Sequence, residues 1–174
     1  RALSAYEAGR RLRALQLALP FGLVGVVGVV AGPKPLLAVV VGALIVVLAW
    51  WGFVHGRVLE RAVLPGTLAG FVPFGLAQVA MLWGHACLGD RCVSMCIPAC
   101  VAGGLLAGAM VAGFARWKRQ PLVFQGFAGL FSVLTGTLGC SCVGYSGVMG
   151  LVAGLVLSSA ASFVFPRARP GESR

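Results

Sequence analysis

"LVFQGFAGLFSVLTGTL" (122–138) is an apolar run of membrane-crossing character that is short and interrupted by Gly126, Gly129 and Gly136. Its reading decides the fold. If it crosses a bilayer, the chain makes six crossings; if it re-enters, everything after it lies on the other side. Five further apolar stretches surround it: Ala14 to Ala31, Leu36 to Val54, Leu68 to Trp83, Ile97 to Ala115 and Val148 to Phe165. Each approaches the roughly 20 residues a helix needs to cross a ~30 Å hydrocarbon core.

Basic residues choose between the two readings, because short cytoplasmic loops collect Lys and Arg whereas exported loops do not. With six crossings, one side receives Arg1, Arg10, Arg11, Arg13, Arg57, Arg61, Arg116, Lys118, Arg119, Arg167, Arg169 and Arg174, and the other only Lys34 and Arg91. Five crossings would move the C-terminal arginines to the poorly charged side. The expectation is therefore an all-α, polytopic membrane protein with six transmembrane helices and both termini cytoplasmic. Composition agrees: 59% hydrophobic residues, 10% charged and a mean hydropathy of +0.97 exclude an ordinary soluble domain. The net charge of +10 is spread over the loops, so it reports orientation and gives no reason to expect nucleic acid.

Three divisions follow. Residues 1–13 are expected to form a basic amphipathic segment on the anionic cytoplasmic leaflet, 14–165 the six-helix domain and 166–174 a basic cytoplasmic tail. The first apolar run has the flanks of a signal peptide, but the later charge pattern requires it to count as a retained span. The absence of Asn and the use of twelve Arg against two Lys fit GC-rich bacterial coding, which places the chain in a bacterial inner membrane.

On that topology all six cysteines, Cys87, Cys92, Cys96, Cys100, Cys140 and Cys142, fall at extracytoplasmic ends of spans. An even number of cysteines on an oxidising side reads first as a set of structural disulfides, with fifteen possible pairings. Cys140 and Cys142 are too close in sequence to pair without strain, so each is expected to reach the other cysteine loop. Two sharper alternatives stay open. Cys96, Cys100, Cys140 and Cys142 could relay electrons, since both pairs lie near positive helix ends that favour thiolates. The same thiols, with His85, Met95 or Met149, could pass on a soft metal ion. The spacing C-x4-C-x3-C-x3-C fits no common zinc site, and whether any metal binds stays open. "GCSCVGYSG" (139–147) is similar to small mercury-transport membrane proteins over that stretch alone, and no residue roles follow from it.

No cofactor is expected. C-x-x-C-H is absent, and His55 and His85 are expected on opposite membrane faces beside Trp50, Trp51 and Trp83, as aromatic-belt residues. The carboxylates Glu7, Glu60, Asp90 and Glu172 all lie in loops or tails, so the spans lack the ionisable group that pumps and ion-coupled transporters place at mid-membrane. Gln78, Gln125, Thr135, Thr137, Ser158 and Ser159 supply the polarity that remains. No catalytic residue is assigned: phosphate-cradling loops, G-x-S-x-G and H-E-x-x-H are all missing.

Glycine is abundant where charge is absent. Gly22, Gly25, Gly28 and Gly32 share a 3, 3, 4 spacing with Gly144, Gly147, Gly150 and Gly154, and Gly66/Gly70 and Gly104/Gly108 add small-xxx-small pairs. Each set makes a helix stripe against which a second backbone can approach. "PFGL" recurs at 20–23 and 73–76, but the echoes do not follow the order of an inverted repeat. The leading expectation is a non-enzymatic subunit or accessory protein of a larger membrane assembly, partnered by lipid and other membrane subunits. A thiol-dependent electron or metal relay comes second, and a passive solute channel past Gln78 and Gln125 third.

Overall fold

The computed structural model describes residues 2–31, 35–83, 85–88, 91–94, 96–140 and 145–164. Its body is all-helical. Helix α1 (Ala2–Ala18) passes through a 3-10 turn at Leu19–Phe21 into α2 (Gly22–Ala31), followed by α3 (Pro35–His55), α4 (Arg57–Trp83), α5 (Cys96–Trp117), α6 (Leu122–Cys140) and α7 (Tyr145–Val164). Five stretches are long and apolar enough to cross a membrane: Gly9–Val30, Pro35–His55, Val58–Ala80, Ile97–Trp117 and Leu122–Gly139. The decisive segment 122–138 thus lies within a continuous helix of that kind.

Two boundaries differ from expectation. The helix of the third span begins at Arg57, a full three turns before Leu68, so α4 carries Pro65 and Pro73 in its interior. Proline removes an i to i−4 hydrogen bond and would end a helix in water. Here α4 is packed along α5 and α6, where no water competes for the backbone and neighbouring helices hold it. At the N-terminus, α1 runs past residue 13 to Ala18, and its last turns bury Ala14 and Ala18. Trp50 Nε1 donates to Arg11 O at 3.4 Å, and Arg10 Nη2 donates to Val54 O, fastening α1 to the end of α3. "PFGL" adopts two structures: Pro20 and Phe21 lie in the 3-10 turn, whereas Pro73 to Leu76 continue α4.

The loop after α4 holds the one element outside the helices among the described residues, an antiparallel hairpin of β1 (His85–Leu88) and β2 (Arg91–Ser94).

Close-packed glycines set helix order. A Cβ on Gly66 would lie 2.8 Å from Ala128 Cα, and one on Gly70 would lie 2.6 Å from Thr135 Cβ, so α4 and α6 touch backbone to backbone and run parallel. Gly104 meets Leu151, and Gly154 meets Val101 and Leu105, making α5 and α7 a second parallel pair. Gly103 against Pro73 crosses α4 with α5, which run antiparallel. Gly25 sits against Gly42, where a Cβ would come within 2.8 Å of the facing Cα, and joins α2 to α3. The buried core is accordingly small: Ala38, Ala49, Ala62, Ala69, Ala77, Ala107 and Ala128 surround Phe124, Phe131, Ile45 and Leu151. Large aliphatics point outward, with Val30 and Leu82 each 83% exposed. A soluble domain would bury these side chains and leave its small residues to chance. The inverse arrangement suits helices in lipid, where association comes from close backbone contact and apolar side chains lose nothing by facing the solvent.

Candidate functional site

Among the described side chains, the cysteine cluster is represented by Cys100. It is fully buried, packs on Ala77 of α4 and is one half of a disulfide. Cys87 and Cys92 are directly opposed in the hairpin register, Cys96 opens α5, and Cys140 closes α6. Cys142 and Met95 lie outside the described residues, as do Gly32 and Gly144. The strands and helix ends that carry Cys87, Cys92, Cys96, Cys100 and Cys140 all belong to the α4–α5 and α6–α7 end of the bundle. Met149, on α7, is 69% exposed.

The two histidines lie beyond opposite ends of α4. His55 Nδ1 lies 3.0 Å from Trp51 O, so that nitrogen carries the hydrogen, and its ring stacks on Trp51 at a centroid distance of 4.8 Å. His85 sits on β1. Glu60 falls in the first turn of α4 and is exposed, and Glu7 is exposed on α1. Asp90 and Glu172 lie outside the described residues, like the tail at 166–174.

Gln78 and Gln125 do not come together. Gln125 is in the first turns of α6 and Gln78 is near the far end of the parallel helix α4, beside which the aligned stretch of α6 has already reached Gly139. At 1.5 Å per residue they are separated by roughly 20 Å along the bundle, and Pro73, Phe131 and Leu151 fill the core between these levels. Thr137, Ser158 and Ser159 return their hydroxyls to carbonyls of their own helices, at 2.8, 3.0 and 2.7 Å respectively. Among the described residues, Gln78 Nε2, Ser132 Oγ and Thr135 Oγ1 behave differently and are buried with no hydrogen-bond partner. Ser132 was not among the polar residues singled out from the sequence. The available signal was its i, i+3 relation to Thr135, which puts both on the α6 face opposite Gly70.

Two hollows remain. One, of about 450 Å³, is a groove between α5, α6 and α7 whose lining includes Gly108, Gln125, Gly126, Gly129, Leu155 and Ser159. Gly126 is open, since a Cβ there would meet nothing within 4 Å. The other, of about 720 Å³, lies at the end of the bundle that carries Arg61 and Lys118 and is walled by Phe21, Phe53 and Phe114.

Fold and surface together are those of a multi-pass helical membrane protein, with helices long and apolar enough to cross a bilayer and large apolar side chains turned outward. Comparison with protein-family models, with curated proteins and with solved structures gives no match.

Proposed function

We propose that the protein is a non-enzymatic integral subunit or accessory protein of a larger membrane assembly, crossing a bacterial inner membrane six times with both termini cytoplasmic. Its extracytoplasmic loops are stapled by disulfides. The observation that carries this proposal is the groove between α5, α6 and α7. Much of the glycine stripes is consumed inside the chain: Gly25 faces α3, Gly28 faces Leu138 of α6 and Ala38 of α3, and Gly150 and Gly154 face α5. This groove keeps an unfilled position at Gly126, beside Gly129, Gln125 and Ser159 in its lining, whereas Gly108 at its edge is already packed against Leu155 and Ser158 of α7. Small residues that admit a backbone, beside one strong hydrogen-bonding side chain, are the combination that draws a transmembrane helix from a neighbour. The six-crossing topology is supported by the alternation of helix directions, with α4 and α6 parallel to each other and antiparallel to α5. The thiol-relay alternative has less support, because Cys100 is tied up in a disulfide and offers no thiolate in that state.

A photoactivatable residue in place of Leu130, on the groove edge, tests the proposal in cells of the native host. The expected result is an adduct with one membrane protein that also co-purifies with the unmodified chain, lost when Gly126→Trp fills the groove. Adducts with lipid or with nothing else would overturn it.

A further inference from the structure

We infer a disulfide connectivity: Cys87 is bonded to Cys92, and Cys100 to Cys140. It deepens the proposed function and rests on its placement of these cysteines in an oxidising compartment.

The first pair follows from strand register. Cys87 and Cys92 are Cα partners across the β1–β2 hairpin. Opposed residues in an antiparallel pair have Cα atoms about 4.5 or 5.5 Å apart, depending on the kind of pair. Both values fall within the about 4.4 to 6.8 Å that a disulfide spans. The residues also share one face of the ribbon.

The second pair follows from how three helices meet. Cys100 is already half of a disulfide and packs on Ala77. Cys96 is a poor partner for it: residues at i and i+4 of a helix hold their Cβ atoms about 5 to 6 Å apart, beyond the roughly 3.5 to 4.5 Å of a disulfide. The hairpin cysteines have each other. On α5, Gly103 abuts Pro73, where a Cβ would lie 2.6 Å from Pro73 Cα. On α6, Gly136 abuts the same proline, and a Cβ on Gly139 would lie 2.8 Å from Phe74 Cα. Both helices are therefore in contact with one turn of α4. One turn further toward the hairpin, α4 has reached Ala77, α5 begins its approach at Cys100 and α6 ends at Cys140. The level of Cys100 is thus the level at which α6 ends in a cysteine. Bonding the two pins α5 to α6 across α4, a contact otherwise looser than α4–α6 or α5–α7. The pairing assigns no partner to Cys96 or Cys142.

Each bond forms from two thiols by exchange with a disulfide-bearing oxidant of the extracytoplasmic compartment. Two S–H bonds break and one S–S bond forms, while two protons and two electrons pass to the oxidant, whose disulfide becomes a dithiol.

The test uses the full chain in intact cells. Free thiols are blocked with a membrane-permeant alkylating agent, the purified protein is digested without reductant, and linked peptides are sequenced. In parallel, cells are treated with a membrane-impermeant reductant followed by an impermeant maleimide. Peptides joining Cys87 to Cys92 and Cys100 to Cys140, with the hairpin cysteines labelled from outside after reduction, are the expected result. A peptide joining Cys100 to Cys142 or to a hairpin cysteine would overturn the connectivity while leaving the topology standing. Hairpin cysteines that stay unlabelled from outside, and are found as thiols, would overturn the topology and the pairing with it.

Discussion

At Gly104 the side chain is absent because a neighbouring backbone occupies its place. A Cβ there would fall inside contact distance of Leu151 O and 3.1 Å from Leu151 Cα, and a backbone cannot rotate away as a side chain can. Gly113, on the same helix, has nothing within 4 Å of where its Cβ would be. The two positions separate packing from propensity. Gly104→Ala must push α5 from α7, and a loss of about 1 to 3 kcal/mol is expected, as for other overpacked contacts. Gly113→Ala gains helix propensity, up to about 1 kcal/mol, with nothing lost. Unfolding titrations in mixed micelles read both; equal effects at the two sites would mean that α5 and α7 are not in backbone contact. Sequence spacing marked Gly104 and Gly108 as a pair suited to close approach, and the contact they make is of that kind. It could not tell which helix would lie opposite. That depends on three-dimensional neighbours, and the same spacing would suit a partner from another chain.

Helix α5 ends in a motif that the sequence hides. Gln120 N donates to Ala115 O at 2.8 Å and Arg119 N donates to Arg116 O at 3.2 Å, the two bonds of a Schellman cap. Its left-handed residue is Arg119, at φ 49°, where glycine is usual, and Pro121 follows to prevent the helix from continuing. An L side chain in that region costs about 1 to 2 kcal/mol. Arg119→Gly is therefore expected to raise stability by about 1 kcal/mol in the same titrations, and a loss would show that the Arg119 side chain contributes more than its backbone strain removes. Because Arg occupies the usual glycine position, the turn was legible only as a basic loop. Helix α4 was misjudged at its start for a similar reason. Arg57, Glu60, Arg61 and Pro65 all argue locally for a loop, and tertiary packing against α6 through Gly66 overrides them. The hairpin is equally hidden: β1 and β2 are four residues each, too short for alternation to register, and nothing in the cysteine spacing marks Cys87 and Cys92 as cross-strand neighbours.

Over the whole molecule, hydropathy made the helical, membrane-embedded class readable without structure, since bilayer thickness and backbone hydrogen bonding leave few other solutions for such runs. The candidate site was less readable. Six cysteines at one end of the chain's helices can be proposed from spacing and charge, but their pairing needs the register of the hairpin and the levels at which α5 and α6 meet α4. The groove between α5, α6 and α7 had no sequence signature beyond Gly126, Gly129 and a single glutamine. All of this rests on orientation: the disulfides need an oxidising side, and the partner groove needs α6 to cross. Fusing alkaline phosphatase or a fluorescent protein after Gly89, after Gln120 and downstream of α7 is the direct measurement. Phosphatase activity at Gly89 alone, with fluorescence at both other sites, is the result expected. Phosphatase activity downstream of α7, or at Gln120, would contradict the six-crossing arrangement and the placement of the cysteines built on it.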